Sequence, residues 1–352
     1  DGDAWTTVYS ESNGSGGIEV IDISGNSGRY IRMYGHERGS RYGYSLFDFK
    51  VSGNPLTPFS DPTPSPVASP TPSPVSPTVP TDAPARSCKR GVAYGNHSPA
   101  DMTALAPGIS WWYNWYFAVD ASLGGNPLYH DLGIEFIPMR WGNQYSMSIV
   151  ATGVPSDAGT ILGFNEPNFG SQSDLTAQTA ANMWDELESF ADSRNPSLKL
   201  VSPAVNFCGG DCHNAGPFDY LEEFFNACNG CRVDYIAFHI YVSCGAEEGG
   251  LQNNRAQWLI NHVNNYKIRF PGYPLWLTEF ACQGNPSLDE QTSFLQDAVE
   301  FLENEPRIMK YAWFAGRANN MVNVDLLGAD GQLTQLGQTF VDAPFNNNVG
   351  CE

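Results

Sequence analysis

The chain has 352 residues and a formal net charge of −20, with charged side chains at only 16% of positions. Such a surface repels phosphate backbones and anionic bilayers, which argues against nucleic acid or a membrane as partner, whereas a neutral polymer such as a glycan meets no such penalty. Hydrophobic residues at 41% support a large core, and no apolar run approaches the roughly 20 residues of a membrane span.

Composition divides the chain into three regions. Residues 1–52 read as short strands, Trp5–Tyr9, Gly17–Ile23, Tyr30–His36 and Tyr42–Val51, separated by Gly, Ser and Asn. Residues 53–87 form a Pro/Ser/Thr run that cannot bury a core. An extended, polyproline-like linker of roughly 3 Å per residue is expected there, with O-glycosylation or an undecorated spacer both open. The mucin-like linker, eight cysteines and an N-terminus unlike a signal peptide point to a processed, secreted protein, and a monomer is expected. Asn13-Gly14-Ser15 and Asn96-His97-Ser98 are N-glycosylation sequons.

From 88 to 352 short apolar runs alternate with longer polar or helical stretches. Eight runs qualify: Gly91–Tyr94, Ser110–Tyr116, Ile134–Met139, Thr160–Phe164, Leu198–Ala204, Tyr235–Tyr241, Leu275–Phe280 and Met309–Phe314. Helical periodicity is clearest at Thr176–Arg194, Ala215–Cys228, Leu251–Ile268 and Leu288–Asn304. Strands alternating with helices imply parallel βαβ units, and eight units fit an α/β (β/α)8 TIM barrel. A doubly wound open sheet is the alternative, although no Gly-rich dinucleotide-binding turn follows the first run.

Barrel enzymes carry their reactive groups at the C-terminal ends of strands. The fourth run ends in Phe164-Asn165-Glu166-Pro167-Asn168 and the seventh in Leu277-Thr278-Glu279-Phe280. Either glutamate alone is ordinary in a chain with 38 acidic residues. Together at strands four and seven they make the carboxyl pair that glycoside hydrolysis needs, one protonating the leaving group and one ionised at the anomeric carbon. No metal or cofactor is required.

Asn-Glu-Pro at strand four with Glu at strand seven resembles the clan A glycoside hydrolases, which are retaining. Lys89-Arg90-Gly91-Val92-Ala93-Tyr94, Ser110-Trp111-Trp112-Tyr113-Asn114-Trp115, Gly163-Phe164-Asn165-Glu166-Pro167-Asn168 and Trp276-Leu277-Thr278-Glu279-Phe280 resemble glycoside hydrolase family 128, whose members are endo-β-1,3-glucanases. The resemblance covers nearly all of 88–352 and implies Glu166 as acid/base, Glu279 as nucleophile and a β-glucan as substrate. It further implies Asn165 at the sugar 2-hydroxyl, Tyr241 orienting Glu279, His239 facing the same way as Tyr241, and Trp313 as a platform beneath a sugar ring. Trp115, Trp141, Asn143, Tyr94 and Asn96, at the ends of strands one to three, are candidate subsite residues. Asn168 departs from the family pattern, where Asp is more frequent, and is expected to alter subsite contacts.

Cys208, Cys212, Cys228 and Cys231 could be spaced for a zinc ribbon, but the secreted context favours local disulfides, with Cys244–Cys282 and Cys88–Cys351 as further pairs. Residues 1–52 resemble part of a galactose-binding-like, discoidin-type β-sandwich. Two other functional readings remain: a glycosidase of another β-glycan, and a non-catalytic wall-binding protein with an aromatic cleft.

Overall fold

The computed structural model describes residues 6–10, 21, 23–26, 86–123, 128–244 and 255–351. Two compact units separate, Asp1–Pro74 and Val75–Glu352. In the first, Thr6–Ser10 have no regular structure and Ser24-Gly25 form a turn closed by Asn26 N to Ile23 O at 3.3 Å. The remainder of the expected β-sandwich fragment, and the linker as far as 85, lie outside the described residues.

The second unit is an α/β fold with parallel sheets. Its strands are β1 (Arg90–Ala93), β2 (Trp111–Tyr113), β3 (Glu135–Phe136), β4 (Thr160–Leu162), β5 (Lys199–Val201), β6 (Ile236–Val242), β7 (Leu275–Cys282) and β8 (Ile308–Phe314). Its helices are α1 (Pro99–Leu105), α2 (Leu128–Asp131), α3 (Met147–Gly153), α4 (Ala177–Asp192), α5 (Pro217–Cys228), α6 (Gln257–Arg269), α7 (Leu288–Asn304) and α8 (Gln335–Asp342). Each of the eight apolar runs overlaps a strand, and each of the four strongly periodic stretches overlaps a helix, with β1, β6, β7, β8 and α6 extending one or two residues beyond the stretch. The short helices α1, α2, α3 and α8 carry too few turns to show a period.

Helix ends follow local chemistry. Ser98 and Asp101 form a capping box around α1, Ser287 and Glu290 do so for α7, and Pro217 opens α5 where its missing N–H costs nothing. Asn229 closes α5 in the left-handed region, at φ 47°.

Hydrogen-bonded ladders give one sheet in the order β3-β2-β1-β8-β7-β6 and a second pairing β4 with β5, all parallel. Isolated parallel bridges also join Met139 to Leu162 and Val201 to Tyr235. Side chains alternate between two apolar clusters. Trp111, Tyr113, Ile137, Leu162, Ala237 and Ala312 belong to the smaller, inner cluster. Their sequence neighbours Trp112, Phe136, Ile161, Phe238 and Trp313 enter the larger one beneath the helices. Gly163 is required by this packing: a Cβ there would lie 2.9 Å from the Trp184 ring and from the Val201 carbonyl.

All eight cysteines are paired, as Cys88–Cys351, Cys208–Cys212, Cys228–Cys231 and Cys244–Cys282, so the expected disulfides form and the zinc-ribbon reading is set aside. Arg86 and Ser87, the last two residues of the linker as delimited by composition, lie among the described residues of this unit. Arg86 donates to the Ala106 and Leu132 carbonyls at 2.8 and 2.7 Å.

An ion pair between buried Asp101 and half-buried Arg317 ties the loop after β8 to α1. Arg317 donates two bonds to Asp101 at 2.7 and 2.9 Å, and the Gly331 amide adds a third at 2.9 Å. Burial alone would raise the Asp101 pKa, but Arg317 and the amides of Gly331 and Ser98 hold it well below the usual carboxylate range. A depressed folded pKa stabilises above the unfolded value of about 3.9 and loses that contribution as pH falls toward the folded value. Asp101→Asn is therefore expected to cost about 1.5–3 kcal/mol at pH 7. Denaturant unfolding should show the gap from wild type narrowing below about pH 4; an undiminished gap at pH 3 would refute the charge argument.

Candidate active site

Glu166 follows β4. Asn165 bridges Ala204 beyond β5, and the Glu166 amide donates to the Ala204 carbonyl at 2.8 Å. These bonds hold Glu166 at φ 40°, a left-handed conformation that a glutamate adopts only when its surroundings impose it. Both contacts of its carboxylate fall on Oε1: Asn206 Nδ2 donates at 3.1 Å and His239 Nδ1 lies at 3.0 Å.

Glu279 reaches the site through a bulge. The register runs Phe238 to Leu277 and then His239 to Glu279, leaving Thr278 as an extra residue on β7. Trp276 faces inward and Leu277 outward, so plain alternation would turn Glu279 toward the helices. The extra residue returns it to the inner face. There Oε1 accepts from Trp115 Nε1 at 2.7 Å and meets Tyr113 Oη at 3.0 Å. Oε2 accepts from Tyr241 Oη at 2.5 Å and lies 3.4 Å from His239 Nδ1.

A carboxylate oxygen of Glu166, one of Glu279 and a ring nitrogen of His239 thus lie within 4.8 Å of one another. These donor types could hold a metal ion, but His239 Nδ1 stands between the two carboxylates and meets both. His239 is fully buried, and burial alone would depress its pKa. The charges of Glu279 and Glu166 outweigh that and raise it. Burial, with Glu166 adding to it, pushes the Glu279 carboxyl up; His239 and the Tyr241 and Trp115 donors pull in the other direction. Burial and the neighbouring carboxylates also keep the phenols of Tyr113 and Tyr241 protonated, so both remain donors.

Among the candidates, Trp115, Tyr241 and His239 contact the carboxylates directly. Asn165 is buried beside Glu166 with its Oδ1 unpartnered, and Trp141 accepts the Asn165 amide through its carbonyl at 2.9 Å. Asn96 and Asn143 are exposed. Tyr94 packs edge-on to His97 at 4.8 Å and lies beneath the Arg317 guanidinium. None of these three has a described contact with either carboxylate.

Trp313 is not a platform. It is fully buried among Phe280, Phe294 and Phe340, and its indole N–H donates to the Val324 carbonyl at 2.8 Å. Strand alternation places it beneath the helices, and the next residue, Phe314, packs instead against Trp115 and Tyr241 at 5.9 and 5.6 Å. Asn168 likewise makes no subsite contact. Fully buried, it donates to the Asn206 and Asn214 carbonyls at 2.8 and 3.1 Å, a pair of bonds an ionised Asp could not supply.

Tyr113 and Asn206 are site residues to which the sequence assigns no role. Tyr113 lies two residues before Trp115, on the same inner face as Trp111, and that period was the available signal. Asn206 lies just beyond the fifth apolar run, where the strand-end rule applies equally.

A family model described as glycosyl hydrolase catalytic core matches residues 91–340. The crystal structure of a glycoside hydrolase family 128 (subgroup II) endo-β-1,3-glucanase from Sorangium cellulosum is 56% identical. It aligns over 73% of this chain and 99% of that one, with a TM-score of 0.69. The chain belongs to glycoside hydrolase family 128. A second family 128 (subgroup II) endo-β-1,3-glucanase, from Pseudomonas viridiflava, is 31% identical over 74% of this chain and all of the other, with a TM-score of 0.62. Alkali-sensitive linkage protein 1 of Schizosaccharomyces pombe is 29% identical over 270 residues, 72% of this chain and 44% of that protein, so the chain spans less than half of this relative's length. The family match takes in Glu166, Glu279 and every residue that touches them.

Proposed function

We propose that the chain is a secreted, retaining endo-β-1,3-glucanase in which Glu166 is the acid/base and Glu279 the nucleophile. The observation that carries this reading is the carboxyl pair, with one oxygen of Glu166 within 4.8 Å of one of Glu279 and the donors unequally divided between them. Retaining enzymes hold their carboxyls about 5–5.5 Å apart, whereas inverting enzymes leave roughly 6.5–9.5 Å for a water. The Trp115 indole N–H and the Tyr241 hydroxyl donate to Oε1 and Oε2 of Glu279, occupying both of its oxygens, which favours the ionised form a nucleophile requires. Glu166 takes both of its contacts on Oε1, leaving Oε2 to carry the proton for the leaving group.

In the first step Glu279 attacks the anomeric carbon while Glu166 protonates the departing glycosidic oxygen. A covalent glycosyl-enzyme forms. Glu166 then removes a proton from the incoming water, which attacks the anomeric carbon and releases Glu279. The two inversions retain the β configuration. The burial of Asn165 directly beside Glu166 supports its assignment to the sugar 2-hydroxyl.

The same reading closes the strands into one (β/α)8 barrel. The bridges Met139–Leu162 and Val201–Tyr235 support it, as does an inner cluster with members from all eight strand regions. Four disulfides support an oxidising compartment. The β-1,3 linkage rests on likeness to the Sorangium and Pseudomonas enzymes.

The test is reducing-end release and product sizing on laminarin, with cellulose and mannan oligomers alongside, and NMR of the first-formed anomer. Short β-anomeric products from laminarin alone are expected. Release from another polymer would overturn the substrate, an α-anomer would overturn retention, and binding without release would favour the wall-binding reading.

A further inference from the structure

The ends of β2 and β3 carry an aromatic surface that the chemistry at the carboxylates does not use. Tyr116 and Tyr145 are 39% and 44% exposed, edge-to-face with ring centroids 5.8 Å apart. Both rest on the buried Phe117, at 4.0 and 5.3 Å. Ile149, at 48% exposure, and the exposed amides of Asn143 and Gln144 share the same stretch. Core packing accounts for Phe117 but not for two neighbouring phenols that remain in solvent.

Position ties this surface to the site. Tyr116 directly follows Trp115, whose indole N–H holds Glu279, and the Tyr116 carbonyl accepts from the Met139 amide at 3.0 Å. Consecutive Cα atoms lie 3.8 Å apart, so the ledge begins on the residue next in the chain to the one that holds the nucleophile. Tyr145 follows four residues after Trp141, whose carbonyl accepts the Asn165 amide at 2.9 Å. Both tyrosines therefore stand on segments whose preceding residues are bonded into the site.

The chemistry matches an uncharged polyol. No charged side chain occurs at Tyr116–Phe117 or over Trp141–Ile149 in a chain of net charge −20, while ring faces and amides alternate there. Ring faces take the C–H face of a pyranose, and amides and phenol hydroxyls meet its hydroxyl groups.

We propose that Tyr116 and Tyr145 form a distal subsite that binds a further glucose unit of the glucan chain beyond those at the carboxylates. The proposal rests on the glucanase reading. The subsite makes the enzyme favour longer chains, because only they span from Glu279 to the ledge.

The experiment compares wild type, Tyr145→Ala, Tyr116→Ala and Tyr145→Phe on laminari-oligosaccharides from trimer to heptamer. The expected result for either alanine variant is a loss of about tenfold in kcat/KM on the longest oligosaccharides and less than about twofold on the trimer, with kcat little changed. Tyr145→Phe, which keeps the ring, should retain most of the chain-length dependence. Equal losses at every length would assign the tyrosines to packing alone, and no loss at any length would remove the subsite; either overturns the proposal. Calorimetric titration with the hexamer and trimer, on Glu279→Gln with and without Tyr145→Ala, reads the ledge independently of turnover. If wild type cleaves no laminari-oligosaccharide but the hexamer binds more weakly once Tyr145 is removed, the glucanase reading fails while the subsite stands. Equal hexamer binding with and without Tyr145 sinks the subsite.

Discussion

Glu279→Gln lowers kcat on laminarin by on the order of 10⁴-fold or more, the scale seen when a covalent nucleophile is removed, while laminari-oligosaccharide binding is largely retained. The amide is nearly isosteric, so the Tyr113, Trp115 and Tyr241 platform around it survives and the loss is chemical. Its NH2 cannot accept protons, however, and will face donors on one side, which slightly weakens the local network. The truncated variant Glu279→Ala gives the sharper result. Added azide enters the space the carboxylate leaves and attacks the anomeric carbon in a single displacement, giving an α-glycosyl azide. A β-glycosyl azide, or undiminished hydrolysis by Glu279→Gln, would remove Glu279 from the nucleophile role. The wild-type pH profile carries a linked expectation. The nucleophile must be ionised, and burial with the Glu166 charge raises its pKa. Activity should therefore fall on acidification through a value above the ordinary glutamate pKa of about 4.3.

Glu166→Gln lowers kcat on laminarin by about 10²–10⁴-fold, the usual worth of a positioned acid/base. What identifies the role is its dependence on the leaving group. An aryl β-laminaribioside with a strongly acidic phenol needs no protonation to depart, so the first step in Glu166→Gln recovers toward wild type and glycosyl-enzyme accumulates as a burst. Glu279→Gln shows no such recovery, because no leaving group replaces the nucleophile. Equal losses on both substrates for Glu166→Gln would separate it from proton transfer, and recovery by the Glu279 variant instead would exchange the two roles. The geometry favours the present assignment because, among the described residues, donors occupy both oxygens of Glu279 but only Oε1 of Glu166.

The ledge and the catalytic pair differ in what they demand of the fold. Glu166 is held in a left-handed backbone conformation, and Trp115, with its indole on Glu279, is another such residue at φ 59°. Strained residues of this kind persist only where the surroundings over-determine them. The ledge needs no such precision, since ring stacking tolerates small displacements. Chain-length preference should therefore vary more readily than mechanism among related chains.

Periodicity and punctuation by themselves determined the eight strands, the four long helices and both glutamates, because each of these is a local property of sequence. A strand core is a short apolar run, a long helix repeats its face several times, and a carboxylate at a strand end needs no distant partner to be noticed. Tyr241 came with the family resemblance, and His239 follows from it by the two-residue alternation of β6, which is regular where they stand. Alternation also identifies Tyr113, and would have placed Trp313 beneath the helices once the inner phase of β8 was known. That phase is carried by Ala312, whose small side chain advertises neither face. Tertiary structure decided the rest. The extra residue at Thr278 that turns Glu279 inward depends on register against β6, and Asn206 reaches Glu166 only because β4 and β5 lie side by side. The placing of His239 between two carboxylates arises from three strands at once, and no spacing within a single segment encodes a distance between segments.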